Sequence, residues 1–157
     1  MVEGKTSALF SMPLLGGAKI AGASAAEIKA LEYAALHLGH AFQIQDDLLD
    51  LWGAKGRDLV GSDIAEGKLS YPLVLLLAKL PRNSDDRKKL VQIVRAPREE
   101  TTPDAISWVI QLMEREGIKE KAKEDFWKSI KEARTTSFWE DVIEYLAAEL
   151  ETKVRSF

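Results

Sequence analysis

Positions Ile28, Leu31, Ala35, Leu38, Phe42, Gln45, Leu49 and Trp52 advance by threes and fours for about seven turns, a period that only a long helix satisfies. Such a helix buries one stripe along its whole length, so other helices must pack against it. Ser24, followed three residues later by Glu27, reads as its capping box. Gly39 costs about 1 kcal/mol relative to Ala, which suits a place where another helix or a substrate tail passes close by. No strand-like alternation occurs elsewhere, and the fold class read from the sequence is all-α, a helical bundle.

Inside this apolar helix stand three carboxylates, Asp46, Asp47 and Asp50. Asp46 and Asp50 stack one turn apart, Asp47 lies beside them, and Gln43 precedes them on the same face. Clustered carboxylates repel one another unless a cation or a basic partner sits against them. A solvated acidic face is the ordinary alternative. Against it, Leu48, Leu49, Leu51 and Trp52 are interleaved with the acids, and Lys29 is the only Lys or Arg between Glu27 and Asp50. Hard divalent ions, Mg²⁺ above all, take such oxygen sets and are usually shared with substrate phosphates.

Lys5-Thr6 precedes the acidic helix, and Gly61-Ser-Asp-Ile-Ala-Glu-Gly-Lys68 follows it. With these flanks the chain resembles the trans-isoprenyl diphosphate synthases, the polyprenyl synthetase family. The second aspartate-rich motif of that family, FQxxDDxxD, matches Phe42, Gln43, Asp46, Asp47 and Asp50. Its GxDIxxGK segment matches Gly61, Asp63, Ile64, Gly67 and Lys68, and its Lys-Thr pair matches Lys5-Thr6. Three blocks in the right order make the likeness specific, where a lone DDxxD would not.

The resemblance implies the C-terminal half of an isoprenoid-synthase-type fold and Mg²⁺-dependent condensation of an allylic prenyl diphosphate with isopentenyl diphosphate. It implies that Asp46, Asp47 and Asp50 hold Mg²⁺, and that Lys5 and Lys68 neutralise the departing diphosphate. Thr6 and Gln43 act beside them, and Arg57 fills the place of a basic residue in the loop. Family members are longer and carry a first aspartate-rich motif, followed by an arginine pair, upstream of the Lys-Thr position. No second DDxxD occurs here, since the Asp85-Asp86 pair is followed by Lys89. Three readings stay open: a piece of a full enzyme, a subunit that completes its site as a homo-oligomer or with an N-terminal-half partner, or a silent partner that binds and modulates a prenyl synthase.

The 157 residues suit one helical domain, with core and active-site helices in 1–80 and outer amphipathic helices in 81–157. Charge carries this division: residues 1–80 hold 16 of the Asp, Glu, Lys and Arg, and residues 81–157 hold 31. Helices are expected over 6–15, ending near Gly16-Gly17, then after Pro72 over 73–80, and over 85–94. Further helices follow from Pro103 to 116, over 118–133 and over 138–154, with residues 53–67 a loop. Half of a larger bundle would leave an apolar face uncovered. A net charge of −3 gives no sign of a nucleic-acid surface. The absence of cysteine suits a cytoplasmic protein, and no run approaches the ~18 apolar residues of a transmembrane segment. His37 and His40 lack further nitrogen or sulfur ligands for zinc and read as structural. Phe126, Trp127, Phe138 and Trp139 are expected to pack the outer helices.

Overall fold

The structure, a computed structural model, describes residues 2–53 and 60–155, with side chains from Ser7 onward. All regular structure among them is helical: α1 (Val2–Ile20), α2 (Ala25–Trp52), α3 (Ser62–Ala65), α4 (Tyr71–Lys79), α5 (Asp85–Arg95), α6 (Pro103–Arg115), α7 (Ile118–Ala133) and α8 (Glu140–Val154), with a 3₁₀ turn at Arg98–Glu100. No described helix is long and apolar enough to cross a membrane.

Caps decide most of the boundaries. The Ser24 N–H donates to Glu27 Oε2 at 2.6 Å, and the Glu27 N–H returns to Ser24 Oγ at 3.4 Å, closing the box that starts α2. Ser84 Oγ accepts from the Arg87 N–H to start α5, and Thr102 Oγ1 accepts from the Ala105 N–H to start α6, with Pro103 in its first turn.

Three elements depart from the sequence reading. Helix α1 does not stop at Gly16-Gly17 but runs through Pro13 and both glycines to Ile20. A Cβ on Gly17 would lie 3.3 Å from the Trp139 ring, so packing holds helical a stretch that local propensity would end. The loop after α2 contains the short helix α3. Helix α8 begins at Glu140 rather than Phe138, because Trp139 is left-handed, with φ of 54°.

The described chain packs as two compact units, Met1–Gln45 with Lys123–Phe157, and Asp46–Ala122. In the first, Leu31, Ala35, Leu38 and Ala41 of α2, Phe126 and Ile130 of α7, and Ile143, Ala147 and Val154 of α8 are buried. Gly39 answers the sequence reading: a Cβ there would sit 2.7 Å from the Ser7 Cα, so its bare backbone is what admits α1. Buried Gln45 donates to the Leu150 carbonyl, tying α2 to α8. Leu9, Met12 and Ile20 of α1 remain 65, 75 and 90% exposed.

In the second unit the end of α2 joins α3–α6 through Leu51, Ile64, Leu73, Leu76, Leu90, Ile106, Val109 and Met113. The Trp52 indole N–H donates to Glu114 at 3.0 Å at the rim. Asp46, Asp47, Asp50 and the Gly61–Lys68 loop belong to this unit.

Candidate functional site

Burial separates the three carboxylates of α2. Asp47 and Asp50 are 3% and 4% exposed, whereas Asp46 is half-buried. Each buried one is met by donors from the segment that follows α2. The Tyr71 N–H donates to Asp47 Oδ2 at 2.6 Å. Tyr71 opens α4, and Ser70 before it makes no side-chain cap. Asp47 therefore serves as an N-cap supplied from another helix, satisfying an orphan donor at the positive end of the α4 dipole.

Asp50 closes the loop. Ser62 Oγ donates to its Oδ1 at 2.6 Å, the Asp63 N–H donates to its Oδ2 at 3.1 Å, and its own carbonyl accepts from the Gly61 N–H at 2.9 Å. Two oxygens of one ionised group each take a donor, the stronger, charge-assisted kind of hydrogen bond. The loop can bend this closely because Gly61 and Gly67 have φ of 76° and 63°. A Cβ on Gly61 would lie 2.5 Å from Ile106 Cγ2, and one on Gly67 would lie 2.6 Å from the Val94 carbonyl oxygen. Ile64 between them is 1% exposed and anchors the turn in the core.

Lys68 ends this loop with its ammonium in place. Its Nζ lies 3.0 Å from Asp63 Oδ1 and 2.6 Å from Glu66 Oε2, and Arg98 donates to Glu66 Oε1 at 2.7 Å. Its hydrogen bond to Glu66, then that to Asp63, raises the Lys68 pKa above the usual lysine value. The same Lys68 bond, with its charge, holds the Glu66 carboxyl below the usual range. Ser62, Glu66, Arg98 and the Tyr71 N–H were not singled out from the sequence. Ser62 and Glu66 lie inside the GxDIxxGK segment and were readable as loop polar groups. Nothing in the sequence links Arg98 to residue 66.

Among the described residues, no group of three or more His, Asp or Glu side chains converges closely enough to hold a metal ion. The donor chemistry nonetheless suits Mg²⁺, which is usually held by one or two carboxylates plus substrate phosphates and water. Asp46 is the half-buried one of the three carboxylates, and Asp47 and Asp50 are buried on the same helix. Gln43 lies on α2 three residues before Asp46 and is half-buried. Lys5 and Thr6 open α1, with side chains outside the described residues, and Arg57 also lies outside them.

The histidine pair sits in the other unit. Its rings stack edge-on at 6.0 Å, and His37 also packs edge-on against Tyr33 at 4.4 Å, whose hydroxyl donates to Glu132. Phe126 is fully buried, with Trp127 edge-on to it. Phe138 and Trp139 are each 37% exposed, and the Trp139 ring lies beside Gly17 of α1.

Comparison with known proteins follows the same residues. A family-wide profile described as polyprenyl synthetase matches residues 1–113. A short chain isoprenyl diphosphate synthase from Methanothermobacter thermautotrophicus is 38% identical over 125 residues, covering 78% of this chain and 36% of that protein. A farnesyl diphosphate synthase from Geobacillus stearothermophilus is 43% identical over 76 residues, covering 47% of this chain and 26% of that protein. Among solved structures, a polyprenyl synthase from Roseobacter denitrificans superposes with a TM-score of 0.80 at 28% identity, covering 95% of this chain and 50% of that one. The chain thus spans half or less of the proteins it matches.

Proposed function

The chain belongs to the polyprenyl synthetase family, and from that premise we propose that it supplies one diphosphate-binding half of a Mg²⁺-dependent prenyltransferase site. The reaction is condensation of an allylic prenyl diphosphate with isopentenyl diphosphate in isoprenoid biosynthesis. The observation that carries this reading is the clasp between the acidic helix and the Gly61–Lys68 loop. Asp50 fixes the loop through Ser62 and Asp63, and the loop in turn sets Lys68 at its end.

In this reading Asp46 is the ligand that meets Mg²⁺, while Asp47 and Asp50 hold the loop and α4 and hold negative charge behind it. Bound Mg²⁺ would offset charge that develops on the departing diphosphate. Lys68 adds a positive charge from the protein, and as a point charge it suits a phosphate oxygen whose position shifts as the bond breaks. Lys5, Thr6, Gln43 and Arg57 are assigned to the same chemistry by motif position alone. The matched proteins are longer, so the remaining diphosphate ligands are assigned to helices outside this sequence, whether on the same polypeptide, on a complementary partner or on a second copy. A cytoplasmic location fits water-soluble diphosphate substrates.

Thermal protection tests the proposal. An allylic diphosphate with Mg²⁺ should raise the melting temperature of the chain, and the corresponding prenyl alcohol should not. Equal protection by both, or protection independent of Mg²⁺, would remove the case for a diphosphate site.

A further inference from the structure

The proposed lysine for diphosphate is already occupied. Lys68 Nζ lies between Asp63 and Glu66, at 3.0 and 2.6 Å. These two contacts differ in kind. Asp63 is fixed, because its backbone N–H is held by buried Asp50 and its side chain is only 16% exposed. Glu66 ends the short helix α3, its side chain is 31% exposed, and its other oxygen is held by Arg98 at 2.7 Å. Arg98 sits in the 3₁₀ turn before α6, and its side chain is 59% exposed.

A diphosphate approaching Lys68 must take the ammonium from a carboxylate of like charge to its own. The one that can yield is Glu66, since it can rotate away while staying paired with Arg98. We infer that Glu66 is a built-in counter-ion which holds Lys68 in position and is displaced by the incoming diphosphate, and that Arg98 receives Glu66 when it lets go. Glu66 and Arg98 are then positioning residues that set how tightly a phosphate group is held without touching it. The inference rests on the functional reading above and deepens it for Lys68.

The two substitutions have opposite signs. In Glu66→Gln the ammonium keeps only Asp63, so Mg²⁺-pyrophosphate should bind about threefold to fivefold more tightly, the scale of one exposed ion pair. In Arg98→Ala, Glu66 has no second partner and stays on Lys68, so binding should weaken by a similar factor; Arg98→Lys should restore most of it. In the double variant, loss of Arg98 should add nothing to Glu66→Gln, and in a Lys68→Ala background neither change should matter.

The experiment is calorimetric titration of pyrophosphate with Mg²⁺ into the full chain and these variants, with a melting curve for each to show that it is folded. Beside it, NMR titration of the Lys68 side chain without ligand reads the pairing itself. The Lys68 pKa should fall in Glu66→Gln relative to the starting protein. Arg98→Ala that weakens binding equally with and without Glu66 would make Arg98 a direct phosphate ligand and overturn the inference. So would pyrophosphate binding that ignores Glu66→Gln. An intact Lys68–Glu66 pairing in a chain that binds no Mg²⁺-pyrophosphate would overturn the functional reading, and the inference with it.

Discussion

Replacing Asp50 tests whether the acidic cluster is held by the protein's own donors. Its carboxylate is 4% exposed and accepts the Ser62 hydroxyl at 2.6 Å and the Asp63 N–H at 3.1 Å. Hydrogen bonds to a charged group contribute about 1.5–3 kcal/mol each. Ser62 is half-buried and finds water when its acceptor is removed, so its share lies at the low end. Asp50→Ala should therefore cost about 3–5 kcal/mol, a large part of the 5–15 kcal/mol that stabilises an ordinary domain. Asp50→Asn can turn its amide oxygen to the Asp63 N–H and its amide nitrogen to Ser62 Oγ. It keeps both contacts without the charge and should cost about 1–2 kcal/mol. Ser62→Ala should cost about 1.5 kcal/mol, close to Asp50→Asn, and the double change Asp50→Ala with Ser62→Ala should cost about 1–2 kcal/mol less than the sum.

Because the chain packs as two units, the assay must be local. Native-state hydrogen exchange at Ile64, Ala65, Glu66 and Lys68 reads the loop directly, since each N–H is bonded within it. The measurement is made without Mg²⁺ or diphosphate. The largest loss of protection is expected in Asp50→Ala, with smaller and similar losses in Ser62→Ala and Asp50→Asn. A change under about 0.5 kcal/mol for Asp50→Ala would refute the clasp, because one buried acceptor of two donors cannot vanish so cheaply.

Two further outcomes follow from the other unit. Gly39→Ala gains up to about 1 kcal/mol of helix propensity but drives a Cβ to 2.7 Å from the Ser7 backbone, an overpacking cost of about 1–3 kcal/mol, so urea unfolding should show net destabilisation. Gly16→Ala meets nothing within 4 Å and should stabilise by a little under about 1 kcal/mol; stabilisation by Gly39→Ala as well would refute the close approach of α1 and α2. Burial, then the charge of His40, lowers the His37 pKa from 6.5, with Glu132 opposing and Lys128 assisting. The unfolded chain then takes up this proton first, so stability is full above 6.5 and is lost as pH falls toward the lower folded value. Melting curves should show stability lost as pH falls below about 6.5, a loss that His37→Gln reduces; an unchanged pH slope in that variant would count against it.

How much was legible depends on where the partner of each residue lies in the chain. The start of α2 at Ser24 and Glu27, and the start of α6 at Thr102 and Pro103, were readable because cap and helix are local. The continuation of α1 through Gly16-Gly17 was not, since the ring that packs on Gly17 belongs to Trp139. The acidic cluster was visible as three carboxylates on one helix, and the glycines of the following segment as a tight loop. That Asp47 and Asp50 are buried, while Asp46 is half-open, was not visible. Their donors lie 24, 12 and 13 residues further on, at Tyr71, Ser62 and Asp63, and only the fold brings them back. Arg98 reaches Glu66 across 32 residues for the same reason.

On the proposed function, Asp46 is the residue on which Mg²⁺-dependent binding of diphosphate depends. Calorimetric titration of pyrophosphate, with and without Mg²⁺, into the full chain and into Asp46→Ala tests it most directly. Binding should need Mg²⁺ and disappear in Asp46→Ala, with α3 amide protection retained because Asp47 and Asp50 still hold the loop. Equal binding by both proteins, or equal binding in the absence of Mg²⁺, would contradict it.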